Sequence, residues 1–151
     1  MPPRIPALAD PRRTPGASVI EYEDASPEVR AVYDDIMATR RTDRVNNFWK
    51  ALAHHPPTLA RTWRDLREVM GAGALDPLTK ELVYLAVSMT NSCEYCIASH
   101  SAAARAKGAT DDMLGELMAV VGMANETNRL AAALRVPVDA AFEGEPWPRT
   151  G

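Results

Sequence analysis

The chain has 151 residues, 46% hydrophobic and 25% charged, and its 17 basic and 20 acidic side chains give a formal net charge of -3. That length fits one domain with one sizeable core, and the composition excludes a disordered, collagenous or mucin-like chain. A pI of about 5.6 with bases scattered among acids leaves no stripe for nucleic acid. The longest aliphatic or aromatic run, Leu82 to Val87, falls far short of the roughly 20 residues of a membrane span.

Six of the 12 prolines lie at or before position 27, and none lies between Leu78 and Val136. Prolines mark where regular helix is forbidden, so residues 1–22 read as an extended N-terminal arm and the proline-free stretch as helix. Ser26-Pro27-Glu28 starts the first helix, with Ser26 as N-cap. Its apolar face is Val29, Val32, Tyr33, Ile36 and Met37. Asn46 to His55 is a short apolar segment stopped by Pro56-Pro57. The next helix runs from about Thr58 and places Leu59, Trp63, Leu66 and Met70 on one face before Gly71.

Asp76-Pro77 repeats the cap signal. The helix it opens has Leu78, Leu82, Leu85, Ala86 and Met89 on one side and Val83, Tyr84 and Val87 on the other, the pattern of a central buried helix. Asn91-Ser92 breaks it, and Cys93 to Lys107 restarts as an alanine-rich helix ending at Gly108. Thr110 caps a last helix with Met113, Leu114, Leu117, Met118 and Val121 on its apolar face, continuing through Asn128-Arg129-Leu130 to Leu134 before Pro137, with Gly122 as a point where it could break. Residues 141–151 read as a tail. Leu82 to Val87 is the one segment that resembles a strand, and one strand makes no sheet. The expected fold class is therefore all-α, a single helical domain over residues 23–140.

The chemistry is concentrated between Glu81 and His100. Cys93, Cys96 and His100 stand at helical offsets of three and four, on one face within about two turns. Cys93 falls in the first turn, where free N–H groups and the helix dipole favour a thiolate. Glu81 flanks the Leu78/Leu82/Leu85 stripe, and burial there would raise its pKa and suit it to accept a proton if His100 faced it. Its plainer role is a pair with a lysine or arginine.

Glu81, twelve residues to Cys93, then Cys93-Glu94-Tyr95-Cys96 and His100, resembles the Glu…Cys-x-x-Cys-x-x-x-His signature of alkyl hydroperoxidase D (AhpD)-like proteins in the carboxymuconolactone decarboxylase superfamily. The resemblance covers roughly Val45 to Asp139. It implies an AhpD-like helical bundle in which the motif helix packs on the helix bearing Glu81, assembled as a trimer or hexamer. It also implies a thiol-dependent peroxidase: Cys96 attacks the peroxide, Cys93 resolves the sulfenic acid to a disulfide, and Glu81 with His100 relays the proton. The partners implied are a hydroperoxide and an unidentified thiol reductant, with no metal, flavin or haem cofactor. Helix-start electrostatics favour Cys93 as the first nucleophile and proximity to His100 favours Cys96. The best-known peroxidases of the family carry a second histidine where this chain has Tyr95, and the superfamily's decarboxylases generally lack the cysteine pair.

Other readings of the same residues are core packing of both cysteines, a metal tetrahedron of Cys93, Cys96, His100 and Glu81, and a thioredoxin-like motif. At the level of function, the alternatives are a non-enzymatic redox-sensing helical oligomer and decarboxylase-like small-acid chemistry in the same pocket. His54 and His55 read as capping or solvent-facing residues, Phe48 and Trp49 as core or subunit contacts, and the methionines as packing. Asn128 and Arg129 fit either an anion or a neighbouring chain. Two cysteines cannot staple a secreted fold, so a cytoplasmic location is expected.

Overall fold

Six α-helices account for most of the chain in the computed structural model, which describes residues 17–142. No strand occurs among the described residues, and Leu82 to Val87 is helical. None of the helices is long and apolar enough to cross a membrane. The helices gather into two compact units divided between Gly71 and Ala72.

In the first unit α1 (Pro27–Arg40) starts where the sequence places it: the Ser26 hydroxyl accepts the Val29 N–H and Pro27 opens the helix. Arg41 stops it in the left-handed conformation, φ 52°. After α2 (Asn47–Leu52), α3 (Pro56–Met70) begins at the proline pair itself. Those prolines are a start, because residues in the first turn have no intrahelical acceptor for an N–H and lose nothing by lacking one. The core joins Val29, Tyr33, Ile36, Trp49, Leu59 and Trp63. Trp49 and Trp63 meet edge to face with ring centroids 5.3 Å apart, a geometry aromatic quadrupoles favour. Only the end of the arm is within the described residues. There Ile20 N–H donates to the Lys50 carbonyl at 3.1 Å, and the Tyr33 hydroxyl to the Ile20 carbonyl at 2.9 Å.

The second unit holds α4 (Pro77–Thr90), α5 (Glu94–Ala106) and α6 (Asp111–Leu134). Asp76 caps α4 by accepting the Leu78 and Thr79 N–H groups, both at 3.0 Å. Thr110 caps α6 through the Met113 N–H. The core is Leu85, Ala104, Ala109 and Leu114, with Leu78, Leu82, Met89, Ile97 and Leu117 packed around it. Helix α6 runs unbroken through Gly122, since one glycine inside a helix costs only about 1 kcal/mol.

Helix α4 is not buried all round. Helices α5 and α6 cover its Leu85 side, while Val83 and Val87 are 53% and 54% exposed. After Asp139 a short 3-10 turn, Ala140–Phe142, precedes the remaining tail residues, which lie outside the described ones, as do residues 1–16 of the arm.

Candidate active site

The turn between α4 and α5 places the site. Ser92 takes the left-handed conformation, φ 54°, and the Cys93 N–H donates to the Ser88 carbonyl at 3.0 Å. This folds the chain back so that α5 packs against α4. Cys93 is the N-cap of α5, one position before the helix, and its sulfur accepts the Cys96 N–H at 3.3 Å. The Cys93 and Cys96 Cα atoms are 5.3 Å apart and their sulfurs are joined as a disulfide. Cysteine packing as free thiols is thereby set aside.

Glu81 is 6% exposed and lies on the α4 side that α5 covers. Its Oε2 accepts a hydrogen bond from His100 Nδ1 at 2.7 Å, and its Oε1 accepts one from Lys107 Nζ, also at 2.7 Å. Burial pushes the carboxyl pKa up, but the hydrogen bonds from His100 and Lys107 and the lysine charge outweigh it, leaving the group below its ordinary value of 4.5. Glu81 is therefore an anion near neutral pH. An anionic carboxylate only accepts, so Nδ1 carries the hydrogen, and Nε2 is the nitrogen of a neutral His100 that is able to take a proton. The imidazole is also clamped from the side: Tyr84 stacks on it with ring centroids 3.7 Å apart and planes 20° apart.

The structure joins the four residues singled out in the sequence as two pairs, the cysteines as one covalent pair and Glu81 with His100 as a hydrogen-bonded pair across α4 and α5. Sequence reasoning missed Lys107 and Tyr84. Tyr84 is three residues after Glu81 and Lys107 seven after His100, offsets that keep each on the same helix face as its neighbour. The plainer reading of Glu81, a pair with a lysine, coexists with its pairing to His100. Among the described residues no group of three or more histidine, cysteine or acidic side chains is placed to hold a metal ion. His55 caps α3, its Nδ1 accepting the Thr58 N–H at 3.3 Å. His54 pairs with Ser18, its Nε2 3.0 Å from both the hydroxyl and the carbonyl oxygen.

Known proteins match the chain in three ways. The sequence profile of the Carboxymuconolactone decarboxylase family matches residues 57–139. A crystal structure titled as the alkylhydroperoxidase AhpD core from Rhodospirillum rubrum superposes with a TM-score of 0.74. It is 57% identical, and the match covers 77% of this chain and 86% of that one. The "Uncharacterized protein 4 in cox locus" of Paracoccus denitrificans is 42% identical over 48 residues, 32% of this chain, and the match spans 43% of the relative's length. The fold is an all-α bundle of the AhpD-like type, and its cysteine pair with a neighbouring glutamate and histidine is equipped for thiol redox chemistry. The chain belongs to the carboxymuconolactone decarboxylase family, on its AhpD-like side.

Proposed function

We propose that the protein is a thiol-dependent peroxidase that reduces hydroperoxides with Cys96 and Cys93. The observation that carries this reading is the Glu81–His100 hydrogen bond, which holds an imidazole on the helix that begins at the cysteine pair. His100 follows Cys96 by one helical turn, so the two side chains are neighbours on α5.

In the reduced enzyme, His100 Nε2 takes the Cys96 thiol proton. The thiolate attacks the terminal oxygen of ROOH, the O–O bond breaks, and the leaving alkoxide takes a proton from the imidazolium to give ROH. Cys96 is now a sulfenic acid. Cys93, as a thiolate, attacks its sulfur, and hydroxide leaves with a proton as water, forming the disulfide. An external thiol reductant returns two electrons and two protons to restore both thiols. Glu81 stays anionic throughout, orients the ring and stabilises its charged form. Tyr95 stands where the best-known peroxidases have a second histidine, which shortens the relay to Glu81 and His100. Cytoplasmic residence and assembly as a homo-oligomer, trimer or hexamer, complete the proposal.

Stopped-flow mixing of the pre-reduced protein with tert-butyl hydroperoxide tests it. Thiol loss should far exceed the free-cysteine rate in the wild type and fall to that rate in Cys96→Ser. A wild type no faster than free cysteine would overturn the enzyme and favour a redox-sensing oligomer. Activity on small acids surviving Cys93→Ala and Cys96→Ala, yet lost in Glu81→Gln, would favour the decarboxylase-like alternative.

A further inference from the structure

The Glu81 carboxylate has two oxygens and two different partners: Oε2 holds His100 and Oε1 holds Lys107, each at 2.7 Å. Lys107 lies at the far end of α5 from the cysteines, as the helix C-cap, and reaches back across to α4. We infer that Lys107 is a positioning residue of the proton relay, fixing the Glu81 carboxylate as an anion in the orientation that presents one oxygen to His100 Nδ1. The inference rests on the reading of Glu81 and His100 as that relay.

The physical need for such a residue follows from burial. The Glu81 side chain is 7% exposed, and a carboxylate so placed resists ionisation unless both oxygens are satisfied. Under the proposed cycle His100 is an intermittent charge partner, gaining a cationic ring when it takes the thiol proton and losing it when it returns that proton. Lys107 is a permanent one, 36% exposed along its side chain, so its ammonium keeps part of its hydration while it pairs. A carboxylate supported by His100 alone would meet the neutral ring for part of every cycle and would then take up a proton more readily. A protonated Glu81 neither stabilises the imidazolium nor selects the Nδ1–H form of the ring.

The groups around Glu81 are consistent with that division of labour. From α5 the ionisable partners are His100, whose hydrogen bond is the larger lowering influence, and Lys107, which adds a hydrogen bond and a charge; together they hold the carboxyl below its ordinary range. From α4 itself Tyr84 lies against the His100 ring. The residues that α6 packs into the core of this unit are the apolar Leu114 and Leu117, and its first-turn acid Asp111 is paired with Arg105.

The test uses the full chain in a Cys93→Ser background, where Cys96 is the sole thiol because the sequence has only 2 cysteines. The rate of Cys96 alkylation by iodoacetamide is followed against pH, and the same lysine variants with both cysteines intact are followed for tert-butyl hydroperoxide reduction. Lys107→Met should move the acid limb of both profiles up by about one pH unit or more, the size of effect an opposite charge at hydrogen-bond distance exerts. KM for the hydroperoxide should be unchanged, and Lys107→Arg should restore the wild-type profile.

Lys107→Gln keeps a donor and removes the charge, and it replaces the methionine variant if that protein does not fold. In a Glu81→Gln background Lys107→Met should add no displacement. Superimposable wild-type and Lys107→Met profiles would overturn the inference, as would an arginine variant displaced as far as the methionine one, or an equal displacement without Glu81. If the wild type reduces no hydroperoxide, the peroxidase reading fails while the alkylation profiles still decide the role of Lys107.

Discussion

Tyr84 lies nearly parallel on the His100 imidazole, with ring centroids 3.7 Å apart and planes 20° apart. The stack fixes the ring's plane while the Glu81 carboxylate fixes its rotation about that plane, so the imidazole has little freedom left. The Tyr84 backbone carries a further bond, since the Ser88 hydroxyl donates to the Tyr84 carbonyl at 2.8 Å. Tyr84→Phe keeps the aromatic face and should leave peroxide reduction close to wild type. Tyr84→Ala releases the ring and should slow the reaction by about tenfold or more, as loss of orientation does. Stopped-flow rates for the two variants check this, and equal rates would assign the stack to packing alone.

Glu81 also ties the fold to pH. Its folded pKa lies below the ordinary 4.5, so ionised Glu81 stabilises the native state in full above that ordinary value. The contribution fades as pH falls from about there through the lowered one, where the native carboxylate also protonates. Glu81→Gln leaves two donors facing an amide and should cost about 1–3 kcal/mol at pH 7. The difference between wild type and variant should shrink toward zero in strong acid. Denaturant titrations at pH 7 and pH 3 measure both.

Gly108 ends the turn after α5 with φ +100°, and a Cβ there would meet nothing within 4 Å. The cost of Gly108→Ala is therefore conformational, about 1–2 kcal/mol for forcing an L-residue into that region. Because Lys107 is the adjacent residue, the substitution should also disturb the Lys107–Glu81 bond and lower activity. Leu85→Ala is the contrasting case: Leu85 is 0% exposed, and its truncation should cost about 2–5 kcal/mol through a cavity. Thermal melts rank the two.

The proposed assembly makes a prediction at the apolar face that α4 and α6 leave uncovered. Val83, Val87, Val120 and Met123 are each more than half exposed, at 53%, 54%, 60% and 60%, and clustered exposed apolar side chains mark interaction surfaces. A recess of about 270 Å³ on this side is lined by Val87, Val120, Val121, Ala124, Asn125 and Asn128. Val87→Glu should shift sedimentation to the mass of one chain without loss of helix content. A wild-type protein that already sediments as one chain would remove the proposal.

Local signals in the chain were legible where one residue decides the outcome. Ser26, Asp76 and Thr110 each cap the helix their sequence announces, and each accepts the backbone N–H groups that a cap must satisfy. The spacing of Cys93, Cys96 and His100 likewise read as one helix face, from which Cys93 departs by standing as the N-cap just before the helix. What the sequence left hidden depends on partners distant along the chain. The prolines at 56 and 57 read as a stop, whereas the next helix begins on them. The apolar back of α4 reads as core because periodicity reports hydrophobicity without saying what covers it. Lys107 reaches Glu81 across 26 positions, and only the helix pairing brings that cation to the carboxylate.

The cap at Cys93 has a consequence for how the protein would cycle. Its carbonyl accepts the Ile97 N–H at 2.9 Å and its own N–H is held by Ser88 at 3.0 Å, so the main chain around the sulfur is tied down by bonds that involve no sulfur. In the oxidised form the helix start is thereby a fixed mount for the sulfur pair, held by main-chain bonds on both sides of Cys93 as well as by the Cys96 N–H on its sulfur.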